Sequence, residues 1–100
     1  MKVVIIEDEK AAAENLKFLL RTVDSTIEVD RIIDTVSGAV DYFSQQNDIE
    51  LAFFDIHLAD GISFKIFDKV QIETPIIFTT AYDEYALKAF KVNSIDYQTN

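Results

Sequence analysis

Residues 2–9 read KVVIIEDE, and this stretch decides the fold class. Its first part, Lys2 to Ile6, is a continuous run rich in β-branched residues, which is typical of a strand covered on both faces. Its second part is acidic, with Glu7 and Asp8 directly after the strand. Strands of this kind occur mainly in parallel sheets with helices on both sides, so the stretch predicts an α/β protein.

Outward from this strand, the chain alternates between short apolar runs and amphipathic segments. Helical spacing of apolar residues predicts helices over residues 9–23, 37–46, 64–71 and from 83 onward. Ser37 is the predicted N-cap of the second helix. Apolar and β-branched runs predict further strands over residues 27–34, 51–54, 76–79 and 94–97. This βαβαβαβαβ order, with right-handed crossovers, predicts a doubly wound five-stranded parallel sheet in the flavodoxin-like order 2-1-3-4-5.

The composition predicts one small globular domain. The chain has 100 residues and is 49% hydrophobic, which suffices for a single core. It has no apolar run of about 18 residues, so no membrane span is predicted. The absence of cysteine excludes disulfides and thiolate metal sites and favours a cytoplasmic location. A net charge of -9 argues against direct nucleic-acid binding by this domain.

Polar residues follow three of the predicted strands: Glu7 and Asp8, Asp55, and Thr79 and Thr80. Ligands of such sheets bind at the carboxyl ends of the strands, so we expect these residues to share one crevice. Two carboxylates about 4 Å apart repel by roughly 4 kcal/mol at an effective dielectric of about 20, and a divalent cation would relieve this cost. Oxygen ligands without cysteine favour Mg²⁺, or Mn²⁺, over Zn²⁺. Such a site suits phosphoryl transfer to a carboxylate.

Each candidate residue also has a plain structural explanation. Acidic residues after a strand often mark the start of a helix. Asp55 alone could simply end a strand, and Thr80 could be a β-former or a cap. His57 is most simply a loop residue, because the chain has no second histidine or cysteine to complete a transition-metal site. The position of the acidic and hydroxyl candidates at strand ends favours the functional interpretation.

Three segments resemble the signature segments of response-regulator receiver domains from two-component systems. They are VVIIEDE at 3–9, LAFFDIHLADG at 51–61 and PIIFTTAYDEYALKAF at 75–90. The last segment, together with SIDY at 94–97, is similar to receivers attached to LytTR DNA-binding domains, which regulate transcription. The resemblance covers the whole chain. It implies one receiver domain over residues 1–100 that assists its own phosphorylation and dephosphorylation and is not a turnover enzyme.

The resemblance also implies a role for each site residue. Asp55 would accept a phosphoryl group from a sensor histidine kinase or a small phosphodonor. Asp8 would bind Mg²⁺ directly, with Glu7 acting through water or as a second ligand. The backbone carbonyl of His57 would complete the protein ligands. The hydroxyl of Thr80 would hydrogen-bond the phosphoryl group.

The switch and the output surface are also implied by the resemblance. Tyr97 would be an aromatic rotamer switch coupled to Thr80. The output surface would lie on the fourth helix and the last strand, around Tyr85, Lys88 and Lys91.

One position departs from the family pattern. Receivers have a Lys-Pro pair shortly after the aromatic residue of the last strand, and by spacing the lysine falls on Asn100. Asparagine cannot supply the positive charge, so we expect slower phosphorylation or weaker coupling to the output surface. On the family pattern a fifth helix would follow, so the resemblance implies a C-terminally incomplete receiver. We expect an exposed apolar surface on one sheet face and a homodimer that covers it.

Two other functions compete with the phosphorylation switch. The first is a phosphorylation-silent receiver-fold module for protein contact or dimerisation, which Asn100 favours. The second is an Mg²⁺-dependent phosphatase or primase-type enzyme, but these generally need an Asp-x-Asp pair, and His57 stands at the second position. Phosphorylation competence separates the first alternative from a live receiver.

Overall fold

The computed structural model describes residues 1–45 and 48–79, and residues 96–97 as backbone. The strands are β1 (Lys2–Ile6), β2 (Glu28–Ile33), β3 (Leu51–Phe54), β4 (His57–Leu58), β5 (Gly61–Ile62), β6 (Ile76–Phe78) and β7 (Asp96–Tyr97). The helices of the described part are α1 (Lys10–Val23), α2 (Val36–Ser44) and α3 (Lys65–Lys69). None of them is long and apolar enough to cross a membrane. The predicted helix from residue 83 onward lies outside the described residues.

Five strands form one parallel sheet in the spatial order β2-β1-β3-β6-β7. Counted within this sheet alone, the order is 2-1-3-4-5, so the predicted flavodoxin-like arrangement is confirmed. β1 pairs directly with β3, although β2 comes between them in the chain. The strand order therefore reverses between β1 and β3, and ligands of such folds bind at the carboxyl ends of these two strands.

The central strands are buried on both faces. Side chains of successive strand residues point to opposite sides of a sheet. Val4, Ile6 and Phe54 belong to the core cluster that includes residues of α2 and α3, whereas Val3 and Ile5 belong to the cluster with α1. None of these five side chains is more than 1% exposed. Helices on both faces explain why the sequence shows continuous apolar runs where a half-buried strand would alternate.

Phe54 is the centre of an aromatic cluster at the carboxyl end of β3. Its ring stacks on Phe43 of α2, with ring centroids 5.9 Å apart, and on Phe67 of α3, at 5.6 Å. It meets Phe78 of β6 edge-on at 6.0 Å. Because Phe54 directly precedes Asp55, this cluster anchors the backbone from which Asp55 projects.

The start of α2 differs from the sequence-based prediction. Thr35, and not Ser37, is the N-cap, because its side-chain oxygen accepts a hydrogen bond from the backbone N–H of Gly38 at 2.9 Å. Ser37 lies inside the first turn. Two hydroxyl residues stand two positions apart in the sequence, and capping propensity favours both, so composition alone could not choose between them.

The short antiparallel pair of β4 and β5 was not predicted. It pairs His57 with Ile62 and Leu58 with Gly61. Gly61 has a φ of 147°, a conformation that residues with a Cβ rarely adopt. Strands of two residues are too short to leave a periodic pattern, so the sequence indicated only a break at this glycine.

β2 forms one edge of the sheet and contains a bulge. Val3 pairs with Val29 and Val4 pairs with Arg31, which leaves Asp30 as the extra residue. The hydroxyl of Tyr42 in α2 donates a hydrogen bond to the Asp30 carboxylate at 2.7 Å. The Arg31 guanidinium lies 5.6 Å from the centroid of the same ring, within cation-π range. These contacts attach α2 to the edge strand.

Among the described residues, α1 carries exposed apolar side chains. Phe18 is 68% exposed and Val23 is 82% exposed. A cavity of about 410 Å³ opens between α1 and the sheet, and its apolar lining includes Leu16, Leu20 and Phe53. The exposed apolar surface that we expect from the sequence on one sheet face stays a prediction.

The aromatic cluster predicts a large effect of Phe54→Ala on stability. Removing a fully buried ring from a packed core should lower the free energy of unfolding by about 3–5 kcal/mol. Phe18→Ala removes the same side chain from an exposed position and should change it by less than about 0.5 kcal/mol. Urea unfolding followed by circular dichroism measures both values. Similar losses in the two variants would contradict the assignment of Phe54 to the core.

Candidate functional site

Two backbone hydrogen bonds extend the sheet by one residue past the ends of its central strands. The N–H of Asp55 donates to the carbonyl of Ile6 at 2.8 Å. The N–H of Glu7 donates to the carbonyl of Ile33, also at 2.8 Å. Both acidic residues are therefore held by the sheet itself, at the carboxyl edge where the strand order reverses.

Three carboxylates meet at this edge. Glu7, Asp8 and Asp55 each contribute an oxygen that lies within 4.8 Å of the other two. Glu7 and Asp55 are half-buried, and Asp8 is exposed. A cluster of carboxylate oxygens open to solvent on one side fits a hard divalent cation such as Mg²⁺ or Mn²⁺, which keeps part of its water shell.

The crowding of these carboxylates changes the protonation of Glu7. The pKa of the Glu7 carboxyl is raised to about 7, first by burial and also by the hydrogen bond and negative charge of Asp55 and by the charge of Asp8. The backbone N–H of Glu9 donates to Glu7 at 3.1 Å and opposes this rise. Without a cation, Glu7 is therefore close to half protonated at neutral pH and shares a hydrogen bond with Asp55.

The structure describes the other predicted site residues only in part. Thr79 extends the ladder between β3 and β6, since its N–H donates to the carbonyl of Phe54 at 2.9 Å. His57 lies in β4, two residues beyond Asp55, and its side chain is exposed. The predicted site, output and departure residues that fall outside the described part of the chain are Thr80, Tyr85, Lys88, Lys91 and Asn100. Tyr97 is described only through the backbone of β7.

Asp60 is a residue that the sequence interpretation missed. Its carboxylate accepts hydrogen bonds from the N–H groups of Val36 at 2.6 Å and Ser37 at 3.2 Å, at the start of α2. These donors hold the pKa of the Asp60 carboxyl below its usual range. The Asp-Gly pair at 60–61 indicates a turn, but no local pattern could indicate a partner 24 residues away.

The fold and the acidic edge together define a class, a flavodoxin-like α/β domain with a carboxylate crevice at its switch point. No family model matches the chain. The chain is 40% identical to the sensory transduction protein LytT of Enterococcus faecalis and 38% identical to LytT of Bacillus cereus, in each case over 97% of this chain and 40% of the relative. The solved response regulatory domain of protein mrkE from Klebsiella pneumoniae matches with 30% identity and a TM-score of 0.76, over 100% of this chain and 83% of that domain.

The chain therefore belongs to the receiver-domain family of response regulators, and the recognition made from its sequence is confirmed. It spans about 40% of the length of the curated relatives that it matches. The family supports a receiver role in two-component signal transduction for the domain described above.

The raised pKa of Glu7 predicts a stability that depends on pH in the absence of metal. The folded chain holds the proton up to about pH 7, whereas the unfolded chain releases it near pH 4.5, so the folded state loses stability as the pH rises between these values. The loss should be about 1–2 kcal/mol after allowance for solvent screening of a half-buried group. Urea unfolding in EDTA between pH 5 and about 8 measures it.

Two variants isolate the contribution of Glu7. Glu7→Gln removes the titrating group and should flatten the pH profile over this window. Glu14→Gln removes an exposed carboxylate from α1 and should leave the profile of the parent chain unchanged. If Glu7→Gln showed the same slope as the parent, the protonation of Glu7 would not be the cause.

Proposed function

We propose that this chain is the phospho-accepting receiver of a two-component response regulator, with Asp55 as the phosphoacceptor. One observation carries the proposal. The half-buried Asp55 carboxylate lies within 4.8 Å of two further carboxylates, at the switch point of a receiver-family domain. This arrangement is electrostatically unfavourable without a cation, and a divalent cation held there would also offset the negative charge of an incoming phosphoryl group.

A divalent cation at this cluster would be held by residues from two loops. Asp8 and Asp55 would be carboxylate ligands, Glu7 would act directly or through water, and the backbone carbonyl of His57 would complete the protein ligands. The all-oxygen donor set fits Mg²⁺, with Mn²⁺ as a substitute. When bound, such a cation neutralises charge on the phosphoryl oxygens.

Transfer would proceed by attack of a carboxylate oxygen of Asp55 on the phosphorus of the donor. A bond forms between that oxygen and phosphorus as the bond from phosphorus to the donor breaks, and the leaving atom keeps the electron pair. Glu7 contributes through its proton. In the metal-free site its carboxyl shares a hydrogen bond with Asp55, and release of that proton to solvent would leave the Asp55 oxygen free to react.

The phosphoryl group would then bias a conformational equilibrium of the domain. It adds negative charge and strong hydrogen-bond acceptors. On the family resemblance, Thr80 would bind it, Tyr97 would respond, and the surface around Tyr85, Lys88 and Lys91 would transmit the change. The proposed donors are a sensor histidine kinase and small phosphodonors.

A phosphorylation-silent interaction module is the second candidate, and the specific observation in its favour is Asn100 at the position of the family lysine. Homodimerisation stays a prediction in either case. The exposed apolar residues of α1, such as Phe18 and Val23, support it.

Incubation with Mg²⁺ and acetyl phosphate tests the assignment of Asp55. The parent chain should gain one phosphoryl group, as measured by the mass of the intact protein. Asp55→Asn keeps the shape of the side chain but removes the nucleophilic carboxylate, so it should gain none. No gain in a parent chain shown to be folded would favour the silent module.

Mg²⁺ alone should raise the melting temperature, because the cation binds the folded carboxylate cluster. At about 100 times the dissociation constant the gain is roughly 2.7 kcal/mol, or about 10–20 °C for a domain of this size. Asp8→Ala should remove the response and raise the metal-free melting temperature, because it also removes repulsion. Glu9→Ala, an exposed acidic neighbour outside the cluster, should keep the response. A parent chain insensitive to Mg²⁺ would contradict the metal site.

A further inference from the structure

The loop between β3 and α3 carries Asp55 at its start and closes partly on itself. The N–H of Ser63 donates to the carbonyl of Ile56 at 2.7 Å, and the short β4–β5 pair joins the two sides of the loop. These bonds give residues 56–63 a defined shape. They do not by themselves fix the position of this loop relative to the rest of the domain.

Asp60 attaches this loop to α2. Its two carboxylate oxygens accept from two successive backbone N–H groups, those of Val36 and Ser37, at 2.6 and 3.2 Å. Beside this contact, the N–H of Ala59 reaches the carbonyl of Asp34 at 3.4 Å, a longer and weaker bond. Asp60 thus makes the shorter attachment to the segment that leads from β2 into α2.

The charge of Asp60 suits this position. The first N–H groups of a helix have no partner within the helix, and the helix dipole favours an anion there. Hydrogen bonds from N–H groups to an ionised carboxylate are roughly twice as strong as those between neutral groups. Thr35 already accepts the bond from Gly38, so Asp60 satisfies the two N–H groups that the N-cap leaves over.

We propose that Asp60 is a positioning residue of the phosphoryl-acceptor site: by binding the first turn of α2, it holds the loop that runs from Asp55 through His57, which would supply ligands to the cation, in place. The inference rests on the proposed function. It deepens that function, because it assigns the placement of the acceptor loop to a carboxylate outside the cluster of Glu7, Asp8 and Asp55. A displacement of about 1 Å in such a loop can lower a rate by 10²-fold.

The test compares Mg²⁺ affinity, by calorimetry, and the initial rate of phosphorylation by acetyl phosphate in matched variants. Asp60→Ala should weaken Mg²⁺ binding or slow phosphorylation roughly 10- to 100-fold, as is typical when a residue that orients ligands is removed. Asp60→Asn keeps one oxygen acceptor without the charge and should fall between Asp60→Ala and the parent. If Asp60→Ala does not fold, Asp60→Asn still tests the proposal.

Thr35→Ala is the control that separates positioning from stability. It removes the N-cap bond to Gly38 and should destabilise α2 by about 1 kcal/mol, but it leaves the bonds from Val36 and Ser37 to Asp60 intact. It should therefore lower the melting temperature while Mg²⁺ affinity and phosphorylation rate stay within about threefold of the parent. Asp68→Asn, an exposed carboxylate on α3, controls for the lost charge.

The outcomes distinguish this inference from the proposed function. A parent that binds no Mg²⁺ and takes up no phosphoryl group would overturn the proposed function and this inference with it. A parent that does both, with Asp60→Ala equal to it or with Thr35→Ala impaired as strongly as Asp60→Ala, would overturn the inference alone. Selective impairment of the Asp60 variants would support it.

Discussion

The parallel pairing of β1 with β3 is the constraint on which the rest of the molecule depends. It places two strands side by side that are separated in the chain by a helix, an edge strand and a second helix. The pairing continues through the bond from the Asp55 N–H to Ile6, so the acidic residues that follow each strand must lie together. The carboxylate cluster is therefore a direct result of the strand order and needs no separate folding of the loops.

Such a cluster opposes folding, and the neighbouring core offsets it. Like charges crowd at Glu7, Asp8 and Asp55, and the protonation of Glu7 relieves only part of the repulsion. Phe54 directly precedes Asp55 in the chain, and its buried ring contacts three other aromatic rings. A strongly stabilised residue thus adjoins a destabilised one, which lets a small domain hold a crowded carboxylate in a fixed position without losing its fold.

The sequence predicted what depends on local pattern and on strand order. Apolar runs gave the strands, and the acidic residues at their ends gave the cluster. Ser37 was the wrong cap, because capping propensity favours both serine and threonine and the choice depends on backbone geometry. The two-residue strands around Gly61 are too short for periodicity, and Asp60 binds N–H groups distant in the chain, which no spacing rule detects. The sequence therefore missed local backbone geometry at the cap and the turn, and one contact between residues distant in the chain.

The bulge in β2 has a consequence for contacts between molecules. An edge strand presents unpaired backbone groups that invite a foreign strand to add on, and charges and bulges at the edge discourage this. Asp30 is the bulged residue, Glu28 and Arg31 add charge, and Tyr42 ties the bulge to α2. This border of the sheet is therefore protected against aggregation by strand addition.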